Sequence, residues 1–292
     1  MKTLLTGKKL KWAVITPKEE KKPPAKKYAE PTEKQIAANN RLARELAEKA
    51  KAVAPALHVV ETEHFLIFSA WPGSRDKAIG ELCERMYRAC RKHFDVREPE
   101  SVFVGKCPVF LFWEKEHFKT FAEEIDKSDF SAATAYVSWK AGRYCHIVIG
   151  PVRSYDRFCE VLVHEGTHAF MSRYVSSRAL PSWVNEGLAE YTSATLVPRS
   201  WSARRRVKAV GEALRKKTDV SYIFERMSME DFDYGIAHSI VRFMMETNMP
   251  GFAKFVTLVK EGTEEKDALK ESFNCTHEEL LGLWRRAAAR NR

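Results

Sequence analysis

The sequence predicts an α+β fold: a small mixed β-sheet interleaved with helices, followed by an all-helical C-terminal half. Three observations carry this. Between residues 57 and 149, short apolar runs alternate with longer amphipathic stretches. Residues 161–171 form an apolar stretch that sets His164 and His168 one helical turn apart. From Asp233 onward only the helical apolar period remains.

Residues 1–56 read as a separate basic extension, with 14 Lys and Arg against 6 Asp and Glu. The remaining chain is close to balanced, although the whole carries a formal charge of +10. Lys18 to Pro31 has no apolar period and reads as disordered. Gln35 to Val53 is rich in Ala, Lys and Glu and reads as a helix between Pro31 and Pro55. The plain expectation for this extension is a solvated tail. The functional one is weak electrostatic contact with nucleic acid or an anionic membrane surface.

Residues 57–292 read as the main domain, with a sheet-containing upper half over 57–176 and a helical lower half over 177–292. Leu57 to Ala70 is expected as one strand and Arg75 to Phe94 as a helix with Ile79, Leu82, Met86, Tyr87 and Cys90 on one face. Val102–Val104 and Val109–Phe112 read as strand, interrupted by Gly105 and Pro108. Lys115 to Ile125 reads as a helix, and Ala133–Trp139 with Tyr144–Ile149 as a hairpin. Helices are expected over Trp183–Thr195, from Asp233 onward, and over Phe252–Lys260, Glu264–Phe273 and His277–Ala289, with Pro250-Gly251 as a break. Thr276 and Glu279 have capping-box spacing.

Composition excludes some classes. No apolar run approaches the ~20 residues that span a bilayer, so no transmembrane segment is expected. The N-terminus turns to charge too early for a signal peptide, which favours a cytoplasmic chain; export with the signal already removed is the alternative. The six cysteines, Cys83, Cys90, Cys107, Cys145, Cys159 and Cys275, form no CxxC pair. A chain with a core of this size does not need disulfides, so free buried thiols are expected.

The chemistry concentrates in two stretches. His164-Glu165-Gly166-Thr167-His168 puts two imidazoles on one helix face, where both can reach one metal ion. Glu165, one residue along, is suited to take a proton from water rather than to ligate. A lone pattern of this length arises by chance, and the second stretch adds weight. Trp183-Val184-Asn185-Glu186-Gly187-Leu188-Ala189-Glu190-Tyr191 offers Glu186 as a third ligand on the next helix. Glu190, one turn on, can accept a hydrogen bond from the outer nitrogen of a ligating His, or can itself be the third ligand.

HEGTH followed by WVNEGLAEY resembles the gluzincins, the zinc metallopeptidases that include thermolysin-like enzymes and zinc aminopeptidases. Within them it is similar to the small bacterial peptidase MA-like domains, over roughly residues 57–290. The resemblance implies one Zn2+ per chain held by His164, His168 and Glu186. It implies an edge strand, here Ala133, Thr134, Ala135, Tyr136 and Val137, that pairs with a peptide substrate; an interior strand is the alternative. It also implies a helical C-terminal half ending near Leu280 and Trp284.

The expected reaction is peptide hydrolysis on a peptide or protein substrate, with Glu165 as general base. Tyr234 is the candidate to stabilise the developing oxyanion and His238 the runner-up, though packing roles suit both. The aminopeptidase Gly-x-Met-x-Asn motif is absent, which favours an endopeptidase. A zinc-binding domain with weak or regulatory activity, acting as a protein- or nucleic-acid-binding module, is the alternative. Arg199 to Lys217 holds eight cations and is expected as a solvated helix face, or else as a lure for acidic substrates.

Overall fold

The computed structural model describes residues 11–14, 27–97, 100–128, 133–139, 144–198 and 201–290. The first half runs β1 (Lys11–Val14), α1 (Glu33–Val53), β2 (His58–Glu61), β3 (Phe65–Ser69), α2 (Asp76–His93), β4 (Cys107–Leu111), α3 (Lys115–Thr120), β5 (Ala133–Trp139), β6 (Cys145–Ile149) and α4 (Tyr155–Arg173). The second half is helical throughout: α5 (Ser182–Leu196), α6 (Trp201–Lys216), α7 (Asp231–Thr247), α8 (Met249–Glu261), α9 (Glu265–Phe273) and α10 (His277–Arg290), with a short 3-10 turn at Ser221–Phe224.

The strands form one mixed sheet in the order β1-β5-β6-β4-β3-β2. β3, β4 and β6 run parallel to one another, while β2 and β5 run antiparallel to their neighbours β3 and β6. Both faces of the sheet are covered, which is why its strands read as continuous apolar runs. Side chains nevertheless alternate between two cores. Phe65, Ile67, Val109, Leu111, Ile147 and Ile149 join α2, α4 and the C-terminal helices. Leu66, Phe68, Phe110, Tyr136 and Val148 face the other way, toward α1 and α3.

That second core corrects the division at residue 56. α1 turns Ala43, Ala47 and Ala50, one helical stripe, into it. Asn40 Oδ1 accepts from Lys106 N at 3.1 Å, and Asn39 Nδ2 donates to Val104 O. Tyr28 N donates to Val175 O, and Lys27 pairs with Glu261. Residues 27–56 are therefore part of the packed body. The predicted disorder over Lys18 to Pro31 falls mostly outside the described residues.

The expected single strand over Leu57 to Ala70 is two antiparallel strands. The Glu84 carboxylate folds the connection by accepting from Thr62 Oγ1 at 2.7 Å and from His64 N at 2.8 Å. Val102–Val104 is not strand; its side chains are buried, and Gly105 turns the chain with φ 75°. The predicted helix over Lys115 to Ile125 is α3 continued by a π-helical turn at Phe121–Ile125. The helix break expected at Pro250-Gly251 is present but falls at Asn248, between α7 and α8, and both residues stand in the first turn of α8, where a proline's missing N–H costs nothing. The capping box of Thr276 and Glu279 is formed, with both reciprocal hydrogen bonds.

β5 is also not an edge strand. It lies between β1 and β6, and Lys11, Ala13 and Val14 pair with its outer side. The backbone groups assigned to a peptide substrate at Ala133–Val137 are already engaged by the chain itself. All six cysteines are free and buried. Among the described residues, no helix is long and apolar enough to cross a membrane.

Candidate metal centre

α4 begins at Ser154, whose side chain accepts from Arg157 N, and runs through the middle of the larger core. Every residue from Phe158 to Met171 is buried. A helix packed on all sides has little freedom to roll, so His164 and His168 are held in one orientation. Thr167, in the same stretch, keeps its hydroxyl satisfied by donating to Val163 O at 2.8 Å.

α5 packs across α4 and brings two carboxylates. Its approach to α7 depends on Gly187, where a Cβ would meet Ala237 O and Val241 Cγ2 at 2.6 Å. Glu186 Oε2 stands 3.3 Å from His164 Nε2 and 3.4 Å from His168 Nε2. The two Nε2 atoms are 3.0 Å apart. These residues form a buried group that can hold a metal ion. A tetrahedral zinc with bonds of about 2.0–2.1 Å separates its ligand atoms by roughly 3.3–3.4 Å, close to the sides of this triangle. Glu186 Oε2 accepts no hydrogen bond among the described residues despite its burial. An acceptor turned toward two ring nitrogens without bonding to them is the arrangement of donors facing a common centre.

The outer side of His164 is equally specific. Its Nδ1 lies 3.2 Å from Glu190 Oε1, and Glu190 Oε2 is held by Arg206 Nε from α6. Glu190 thus stands behind one corner of the triangle, while Glu186 completes it. Burial opposes charge on His164, but Glu186 and Glu190 outweigh it and raise its pKa to about 10 without a metal. Burial likewise opposes ionised Glu186, yet His168 and His164 hold its carboxyl down at about 2. Glu190 is also held at about 2 against its burial, by His164 and Arg206. Glu165 differs: burial pushes its carboxyl up, in the direction that suits a proton acceptor at neutral pH.

Tyr234 on α7 is the other sequence-predicted residue brought to the centre. Its ring centroid lies 6.3 Å from that of His164. Burial and the nearby carboxylates raise its pKa, so the phenol keeps its proton and remains a donor. His238, one turn on, instead lines a separate hollow with Arg206 and Arg242, and burial lowers its pKa to about 4.

Arg206 is the residue at this centre that the sequence does not single out. It stood within a basic run read as solvent-facing, yet its side chain is buried. Arg205, beside it, does face outward and pairs with Asp231. A second group, Glu63, His64 and Glu84, also gathers ligand-type atoms. There, however, Glu63 is exposed and Glu84 is already bonded to Thr62 and His64 as the brace of the β2–β3 turn.

The sequence matches no family model and no curated protein.

Proposed function

We propose that this chain is a zinc-dependent peptidase of the gluzincin type, most simply an endopeptidase. The observation that carries the reading is the buried triangle of His164 Nε2, His168 Nε2 and Glu186 Oε2, with sides of 3.0, 3.3 and 3.4 Å. Two imidazoles and one carboxylate suit zinc and leave one position open for water, as catalytic sites do. When bound, the zinc supplies Lewis acidity, polarising a carbonyl and acidifying water.

The chain's own residues do the rest. Glu165 takes the proton of the attacking water and passes it to the leaving amine. The Tyr234 phenol donates to the carbonyl oxygen as negative charge develops there. Glu190 fixes the tautomer and tilt of His164 by accepting from Nδ1, and Arg206 fixes Glu190 in turn.

The test pairs metal content with turnover on one preparation. Wild type should carry about one zinc per chain and cleave members of a broad peptide library. Glu165→Gln should keep the zinc and lose about a hundred-fold or more in turnover, as expected for loss of a general base. A Glu165→Gln variant that cleaves like wild type would refute the mechanism. Zinc binding without cleavage of any peptide would favour a zinc-holding interaction module.

A further inference from the structure

Two of the six cysteines meet in the sheet. β4 and β6 are parallel neighbours, and Cys107 and Cys145 are the first residues of the two strands. The register that pairs Val109 with Ile147, carried two residues back, sets these cysteines side by side on the face turned toward α2 and α4. Their Sγ atoms are 4.0 Å apart. Neighbouring strands lie about 4.7–4.9 Å apart, within the Cα separation of about 4.4–6.8 Å that a disulfide spans. Bonding requires only that the two sulfurs close to about 2.05 Å. Strand ends, where both residues stand, are where local opening costs least.

A buried cation adjoins this pair. Arg173, the last residue of α4, is 3% exposed. Its Nε donates to Ser172 Oγ at 3.3 Å, and among the described residues no carboxylate pairs with it. A charge buried without a counter-ion favours an anion beside it. The Cys107 thiol as donor, then the Arg173 charge, hold the Cys145 thiol down at about 7 against its burial. Burial and the neighbouring Cys145 push Cys107 the other way, well up. Burial also pushes up Cys83, Cys90, Cys159 and Cys275. One sulfur of the pair is thus suited to attack as a thiolate, and its neighbour to follow as a thiol.

We propose that Cys107 and Cys145 are a redox-active dithiol, oxidised to a disulfide by a small hydroperoxide, with Cys145 attacking first and Cys107 resolving. The Cys145 sulfur attacks one peroxide oxygen; an S–O bond forms, the O–O bond breaks, and the departing oxygen takes up a proton. The Cys107 sulfur then attacks Cys145 Sγ; the S–S bond forms, the S–O bond breaks, and hydroxide leaves with the Cys107 proton as water. In sum, two thiols and one hydroperoxide give one disulfide, one alcohol (water, if the oxidant is hydrogen peroxide) and one water. The sulfurs lose two electrons and the O–O bond gains them. Arg173 is a positioning residue that favours the Cys145 thiolate. Neither cysteine belongs to the His164, His168 and Glu186 triangle, so the proposal is independent of the zinc reading.

The experiment treats the native full-length protein with a few equivalents of hydrogen peroxide, alkylates the remaining thiols in denaturant and maps the peptides. Wild type should fall from six free thiols to four, with Cys107 linked to Cys145, and dithiothreitol should restore all six. Cys107→Ser should stop at a Cys145 sulfenic acid, trapped by dimedone. Cys145→Ser should leave Cys107 unmodified under the same treatment. Arg173→Met should slow oxidation of the pair by about tenfold, while Arg173→Lys, which keeps the charge, stays near wild type. Circular dichroism on each variant confirms that it is folded, and the wild-type mapping needs no variant at all. Oxidation of Cys159 or Cys275 while Cys107 and Cys145 stay reduced would overturn the proposal. So would a disulfide joining either residue to another cysteine. Oxidation of folded Arg173→Met at the wild-type rate would remove Arg173 from it.

Discussion

His164 Nδ1 stands 3.2 Å from Glu190 Oε1, on the side of the ring turned away from Glu186. The two carboxylates of α5 therefore have unequal parts, and substitution should separate them. Glu186→Gln is expected to lose nearly all tight zinc binding. Glu190→Gln should weaken it by about ten- to a hundred-fold, the usual effect of removing an outer partner of a ligating His. Competition with a graded series of chelators measures both. If Glu190→Gln strips the zinc and Glu186→Gln retains it, the two roles are reversed.

In the proposed reaction Tyr234, 6.3 Å ring to ring from His164, acts late, on charge that exists only as the carbonyl is attacked. Tyr234→Phe should lower kcat by about a hundred-fold, with KM and zinc content close to wild type. Unchanged kcat would make Tyr234 a packing residue beside His164.

Two glycines of the motif helices should respond oppositely to alanine. At Gly187 the new methyl meets the Ala237 backbone, with O at 2.6 Å and C at 2.9 Å, and cannot be accommodated without parting α5 from α7. Gly187→Ala should cost about 3 kcal/mol in urea unfolding. At Gly166 it meets the end of the Met86 side chain, with Cε at 2.4 Å and Sδ at 3.2 Å, which can swing aside. Gly166→Ala should fall within about 1 kcal/mol of wild type, because helix propensity offsets the crowding. A Gly187→Ala protein of wild-type stability would show that the helix pair is more loosely packed than described.

His93 predicts a pH dependence of stability. Burial, with the charge of Lys92, lowers its pKa from 6.5 to about 4, and its Nδ1 is buried without a hydrogen-bond partner among the described residues. Below pH 6.5 the unfolded chain takes up a proton that the folded chain refuses, so this contribution to stability is lost as pH falls from 6.5 to about 4. Between pH 7.5 and pH 5, His93→Gln should lose about 2 kcal/mol less than wild type. Equal losses would mean that His93 titrates normally in the folded chain.

The parts of the site that could be read from sequence are those set by helical spacing. His164 and His168 share a face whatever surrounds them, and Glu186 and Glu190 repeat the same interval on the next helix. Arg206 has no such signature. In a run of cations each residue looks like its neighbours, and only the packing of α6 on α7 decides that one of them turns inward. The β2–β3 turn failed for the same reason: its brace, Glu84, comes from a helix distant in sequence. α1 was recognised as a helix, but a stripe of alanines gives too weak an apolar contrast to announce that it covers a sheet.

The buried His164, His168 and Glu186 triangle is confined to residues 164–186, on two helices joined by the short connection from Tyr174 to Pro181. Closing so small a loop costs little entropy, and helix–helix contacts of this kind form early in folding. If the centre takes up zinc as proposed, the ion can tie α4 to α5 while the sheet, whose outer strands come from distant parts of the chain, is still unassembled. On the zinc reading proposed above, metal supply would then set how fast the chain finds its fold as well as how long it keeps it. A nascent chain made under zinc starvation would be delayed at its central helix pair, with the broad apolar faces of both helices open to aggregation.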